Sequence, residues 1–485
     1  MPTPAPATPV PTAVPEPTPV TGSGIEGGDP EFNPTALVWQ GYWLSRDHFG
    51  PFVMASGLGI PFQPPMDMMQ MAMGMVAQNS NDPVMLPANM MPLQAVYASG
   101  GSTLVNAPRE YDPMDFEAFR LDPSTFDDTV TVRGQAETML KESQWAHNFA
   151  NAHFGEPTGD FGAQQRFTGV MVAMLAKMQG QYAMQMLLGD DGLYHDSDGT
   201  LDYTGNWVML HALSDIAGIT GDMEGRYMDP DAHPMFEGAA AMLFGALAER
   251  EPESAREAAS AVCALAYLAS TASDAAVRDA TLARAAAIAN GKLSAADSSG
   301  TVESAAAIAG LISVAMATGD GQYRDAADAL FEVLSADFDP SHGVFNSISA
   351  YNVDDVAWII GGLNSLVQQG GSDTKGAASD MLLAFYEATL GVGGMQLSAP
   401  PGKSGAMASP WEMELPSVVY YHPANTPPPP MAGKLTVPAE EITWDGSAWS
   451  VTSDRFVPAG AMHLANELNW LGPHLGSIPF PKVMG

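Results

Sequence analysis

From about residue 130 to 392 apolar residues recur at three-to-four spacing, the mark of helices that each bury one stripe. VESAAAIAGLISVAMATGD (302–320) and VDDVAWIIGGLNSLVQQGG (353–371) are the plainest instances. The pattern predicts helices over 133–154, 164–188, 204–220, 236–249, 254–272, 274–292, 301–318, 321–337, 352–370 and 373–390. Gly189, Gly221, Gly319 and Gly370 sit where such helices stop. Short connections favour antiparallel hairpins.

The flanks read differently. Residues 1–32, MPTPAPATPVPTAVPEPTPVTGSGIEGGDPEF, are too rich in proline and glycine to form a core and are expected to be a disordered, polyproline-like tether. Residues 33–105 are rich in Met, Pro and Gly, so an irregular segment wrapping the main body is expected. Residues 106–485 then form the helical domain, with 393–455 as an insertion. Within it, KLTVPAEEITWDGSAWSVTSDRF (434–456) alternates apolar and polar residues around Asp445-Gly446, which predicts a small β-hairpin near 435–455. Helical spacing returns over 457–471. With a short helix near Trp411 the total is about twelve helices at a period of about 45 residues. The fold class is therefore all-α: an α/α toroid of six hairpins, with an open α-solenoid as the alternative.

Charge narrows the partners. The chain has 485 residues, with 19 Lys and Arg against 55 Asp and Glu, a formal net charge of −36. Phosphate backbones and anionic lipid are repelled by such a field, and no basic cluster overrides it. Nucleic acid is excluded as a partner, and membrane contact is expected only through an N-terminal anchor. No run of about twenty apolar residues is present. Acidity and the Pro-rich stem point to an extracytoplasmic protein at the cell surface or in the periplasm, lipid-anchored in its precursor. Cys263, the single cysteine, sits among Ala, Leu and Val as an inert thiol. Without CxxCH there is no haem c, and without a P-loop or a GxGxxG opening a helix after a strand no nucleotide cofactor is expected. HExxH and GxSxG are absent too. His147, His153, His211 and His463 are scattered singly, as core or interface histidines are.

Candidate chemistry lies in a few stretches. In GDDGLYHDSDGTLDYTGNW (189–207), Asp196, Asp198, Thr200 and Asp202 alternate around Gly199, a spacing that suits Ca²⁺. The closing Glu of a full calcium loop is missing, and capping of the next helix explains the same aspartates. PMDMMQMAMGMV gathers Met66, Met68, Met69, Met71, Met73 and Met75, soft ligands for Cu(I) or flexible filler, with His48 the nearest imidazole. YNVDDVAW supplies Asp354, Asp355 and Trp358; WEMELPSVVYYH supplies Trp411, Glu412, Glu414, Tyr420, Tyr421 and His422. Carboxylates facing across a funnel, with aromatic rings to hold sugars, would suit glycoside hydrolysis. The first turn of a helix also attracts Asp354 and Asp355 through its dipole.

DGLYHDSDGTLDYTGNW resembles a feature of the six-hairpin α/α-toroid superfamily of carbohydrate-processing proteins, which includes unsaturated glycuronyl hydrolases and sugar epimerases. Asp191, Gly192, Leu193, Tyr194 and His195 match its loop, and Gly205, Asn206 and Trp207 its inner-helix start. Tyr203, Thr204, Gly205 and Asn206 stand where those hydrolases carry an Arg-containing stretch. The resemblance implies ligand contacts from Tyr194, His195 and Trp207 in a central funnel. Three functions follow as expectations. The first is an exported, surface-tethered binding or structural protein, calcium-stabilised, with a glycan or protein partner on the cell surface. The second is a glycoside hydrolase-like enzyme acting on a neutral glycan, and the third an extracytoplasmic copper-binding protein.

Overall fold

A computed structural model describes residues 34–63, 66, 70, 90–106, 116–150, 159–221, 227–294, 300–398 and 433–471. Among the described residues there are twelve α-helices: α1 (Pro34–Ala55), α2 (Val132–Ala150), α3 (Gly159–Met186), α4 (Tyr203–Gly221), α5 (Ala232–Leu247), α6 (Ala255–Thr271), α7 (Ala275–Ile288), α8 (Thr301–Thr318), α9 (Gly321–Asp337), α10 (Val353–Gln369), α11 (Ser372–Tyr386) and α12 (Pro458–Asn469). One turn of π-helix extends α7 (Ala289–Leu293) and another extends α11 (Glu387–Val392).

The even-numbered helices form the inner layer. Each packs on the next, α2 on α4, α6, α8, α10 and α12 in turn, and α12 returns to α2, so the ring is closed and the solenoid alternative falls. The odd-numbered helices form the outer layer, each against its hairpin partner. Inner helices bury nearly every side chain because they meet neighbours on three sides. In α8, Ala305, Ala306, Ala307 and Ile308 are all buried in succession, which only a helix covered all round requires. α8 is also the one described helix apolar and long enough to cross a membrane, and 61% of it lies inside the ring.

Caps mark the starts and stops. Asn352 and Asp355 form a reciprocal cap at the start of α10: Asn352 Oδ1 accepts from the Asp355 amide (2.9 Å), and Asp355 Oδ2 from Asn352 Nδ2 (2.6 Å). Gly319 ends α8 in the left-handed region, φ 73°, where a side chain would be strained.

The expectation of an irregular 33–105 segment fails at its start. α1 is the outer helix that covers α12, so the N-terminal part of the domain completes the sixth hairpin. Ser45 Oγ donates to the Ala465 carbonyl (2.5 Å), and Phe52 meets Phe456 edge-on at 4.8 Å. The helix expected near Trp411 falls outside the described residues, as do residues 1–32. The β-hairpin is present at Glu441–Trp444 and Trp449–Ser453, turning at Gly446 (φ 97°). Its first strand also pairs with Ala350–Asn352, and the Val353 amide bonds the Glu440 carbonyl (2.9 Å). The insertion thus braces the entry to α10.

Candidate functional site

All six inner helices begin at one end of the ring. Side chains from their first turns meet there: Arg133 of α2 with Asp354 of α10, and Arg256 of α6 with Glu303 of α8 and Asp355 of α10. Converging N-termini carry partial positive charge, which makes Asp354, Asp355 and Glu303 natural and Arg133 and Arg256 unfavourable by local rule. Each arginine is held against that local preference by carboxylates from other inner helices.

The densest group lies between α2, α10 and α12. Arg133 donates to Asp354 Oδ1, and its Nε lies 3.9 Å from Glu137 Oε1 one turn below. His463 Nδ1 is 2.8 Å from the same Asp354 oxygen, and its Nε2 is 3.9 Å from Glu467 Oε1. Trp358 meets His463 edge-on at 4.6 Å. Asp354 is held well below the usual carboxylate range: burial works against its charge, but Arg133 and His463 outweigh burial. Glu137 is the opposite case, pushed up to about 7 chiefly by burial. Burial also raises Glu467, opposed by His463, although 31% of that side chain remains open. For His463 burial disfavours the charged form, yet Glu137, Asp354 and Glu467 together raise it.

Beside this group, Arg256 Nε lies 2.6 Å from Glu303 Oε1, and its Nη1 lies 3.1 Å from Asp355 Oδ1. Asp355 is raised, first by burial and then by Asp354, with Arg256 pulling the other way. Acids held at different protonation states around one imidazole can give and take protons at neutral pH.

Of the residues singled out from sequence, Asp354, Asp355 and Trp358 come together here. Trp411, Glu412, Glu414, Tyr420, Tyr421 and His422 lie outside the described residues. Tyr194 and Trp207 are both 0% exposed and belong to the main core, so neither ring faces a ligand. What binds Tyr194 to α4 is its backbone: its amide donates to Asn206 Oδ1 (2.8 Å), and Asn206 Nδ2 donates back to its carbonyl (2.8 Å). His195 Nε2 rests 3.1 Å from Asp191.

The aspartate loop docks on the start of α2. Asp196 Oδ1 accepts the Val132 amide (2.7 Å), and Ser197 pairs with Val130 through its amide and hydroxyl (both 2.9 Å). Asp198 Oδ1 takes the Thr200 amide (2.9 Å), and the Asp202 carbonyl takes Asn206. Among the described residues no three acidic, imidazole or thiol groups gather as a metal site. Of the methionine cluster only Met66 is described, and it is exposed; His48 is buried with Nε2 2.6 Å from Gln396 Oε1.

Sequence reading missed Arg133, Glu137, Arg256, Glu303 and Glu467, and placed His463 as a core or interface histidine. A usable signal was present. With only 19 basic residues in the chain, two arginines at second positions of inner helices contradict the dipole rule, and such contradictions mark sites. At the other end of the ring, buried Asp215 accepts from Ser143, Tyr267 and His147 (Nε2, 2.9 Å) and ties α2, α4 and α6 together.

No family model matches the chain, and no curated protein does. Solved structures resemble it to different degrees. An endoglucanase from the termite Nasutitermes takasagoensis superposes with a TM-score of 0.50 at 11% identity, over 90% of this chain and 98% of that one. A sugar epimerase from a ruminal bacterium gives 0.43 at 9% identity, over 70% and 87%. The fold is of the α/α-toroid type.

Proposed function

We propose that the protein acts on a neutral glycan by acid–base chemistry within the inner layer of the ring, with Glu467 as proton donor and Asp354 as the fixed carboxylate. One observation carries this reading: the two carboxyl groups bracket a single imidazole and sit in opposite environments. Asp354 receives two charged donors, whereas Glu467 receives no close one and stays open. A protonated carboxyl would protonate the departing glycosidic oxygen, and an ionised one across the imidazole from it would stabilise positive charge growing on the sugar ring. The shared ring with an endoglucanase supports carbohydrate as the substrate class, and the net charge of −36 disfavours polyuronates.

The test is release of new reducing ends from a panel of neutral polysaccharides, comparing wild type with Asp354→Asn and Glu467→Gln. Both variants should lose at least about a hundredfold, the usual scale for a general acid or its partner. If no neutral polymer is cut, or if both variants match the wild type, the reading fails.

A further inference from the structure

Halfway along the ring's axis the inner helices leave a space between them. Glu467 faces Gly361, which lies midway along α10 (Val353–Gln369). Cys263 lies midway along α6, Ala309 midway along α8 and His211 midway along α4. At 1.5 Å of rise per residue these positions are about 12 Å from either end of their helices. The Glu467 side chain is 31% exposed, and Cys263, Ala309 and His211 are partly exposed. Outer helices cover the backs of the inner helices and neighbouring inner helices their flanks, so exposure at that height faces the axis. Ser313, one turn beyond Ala309, is partly exposed as well, and its hydroxyl lies 3.3 Å from the Cys263 sulfur.

The ways in are restricted. Entry from the side is closed, because each inner helix packs on the next. At the end where the inner helices begin, two bridges cross the ring: Arg133 of α2 reaches Asp354 of α10 past α12, and Arg256 of α6 reaches Asp355 of α10 past α8. A polymer lying across that end would rest on the bridges, well short of Glu467. We infer that the ring takes its glycan end-on, so that a terminal sugar unit enters along the axis to Glu467, Cys263 and Ser313. This rests on the acid role proposed for Glu467 and names the substrate class of that site: chain ends and short neutral oligosaccharides, not the interior of a long chain. The lining suits such a unit. A carboxyl, a thiol, a hydroxyl and an imidazole come from four different helices and can each give or take a hydrogen bond with sugar hydroxyls. Gly361 and Ala309 keep the space between them open with little or no side chain of their own.

Cys263 is the single cysteine of the chain, so its reactivity reports whether the space is filled. Wild-type protein is treated with methyl methanethiosulfonate, a small reagent, and the mixed disulfide is followed by mass spectrometry. Burial raises the thiol to about 11, and Glu467 adds to that, so the reaction is run at about pH 9. Glucans, mannans, xylans and galactans are added at equal weight, each as long polymer and as its oligosaccharides. The folded protein should be labelled, and at least one glycan should slow the labelling. The weight giving half protection should fall about tenfold when that glycan is cut to a tenth of its length, because ends are bound and not sugar units. Three results overturn the inference: a folded protein that resists a reagent which labels it in urea, protection by no glycan, or protection that follows total sugar. Protection that follows chain ends without release of reducing ends sinks the catalytic reading and leaves end-on binding standing. Where a polymer is cut, its viscosity should fall slowly. Collapse of viscosity with the first cuts overturns end-on entry and leaves the acid–base chemistry in place.

Discussion

Glu467 lies against the bare Cα of Gly361, so close that a methyl group there would stand 2.6 Å from its Oε2. Gly361 is buried in the middle of α10, where glycine is a poor helix former. Gly361→Ala therefore separates stability from site geometry. Helix propensity gains about 1 kcal/mol, and the displaced carboxylate returns part of it. Thermal stability should stay within about 1 kcal/mol of wild type, while any activity that depends on Glu467 drops at least about tenfold. Unfolding curves alongside reducing-end assays would show whether the two readouts part.

The bridge between Arg133 and Asp354 joins the first turns of α2 and α10 across the ring, with both side chains mostly enclosed. Removing one partner leaves the other charged and unpaired. Arg133→Met or Asp354→Asn alone should cost about 3 kcal/mol, and the double variant less than the two losses together. Urea denaturation of the four proteins closes the cycle. Additive losses would mean that the bridge contributes nothing of its own.

The arrangement of hairpins was legible because each main helix repeats one apolar stripe and several stop at glycine. Helix α1 was not legible, and the reason is specific. Its described buried positions are Leu37, Gly41, Leu44, Ser45, His48, Phe49, Phe52, Val53 and Ala55, a third of them glycine or polar. Gly41 is bare because Leu468 and Leu471 press on it, and Ser45 because it bonds the Ala465 carbonyl. A period carried by close approach and hydrogen bonds is invisible to hydrophobicity. The site escaped for a related reason. Arg133 with Glu137, and His463 with Glu467, are spaced four apart, the pattern of ordinary surface pairs on a helix. Only ring closure turns both pairs inward to share Asp354.

His48 gives the fold an acid limit. Burial holds it down to about 4 from its ordinary 6.5, and Lys141, itself buried and lowered well below the ordinary lysine range by burial, pushes the same way against the Gln396 bond. The unfolded chain therefore binds the proton before the folded one does. Stability is full above 6.5 and is lost as the pH falls toward 4, by up to about 3 kcal/mol from this residue. His48→Gln keeps a polar partner for Gln396 and removes the titration. Melting temperature against pH should therefore fall more steeply below 6.5 in wild type than in the variant. Parallel curves would contradict the assignment.

Asp196 shows what the acidic loop does for the fold. Its Oδ1 takes the first amide of α2, and Thr131 Oγ1 takes the Gly134 amide (3.2 Å) two residues on. Together they satisfy amides that no helical carbonyl can reach. Asp196→Ala should therefore cost about 1 kcal/mol, the usual loss for a missing cap, and because α2 carries Arg133 and Glu137 the mouth should loosen with it. A calcium role predicts something different: added Ca²⁺ would raise the wild-type melting temperature, and the variant would lose that increment. The capping geometry predicts the same loss with the ion or with chelator, so one denaturation series under both conditions distinguishes them.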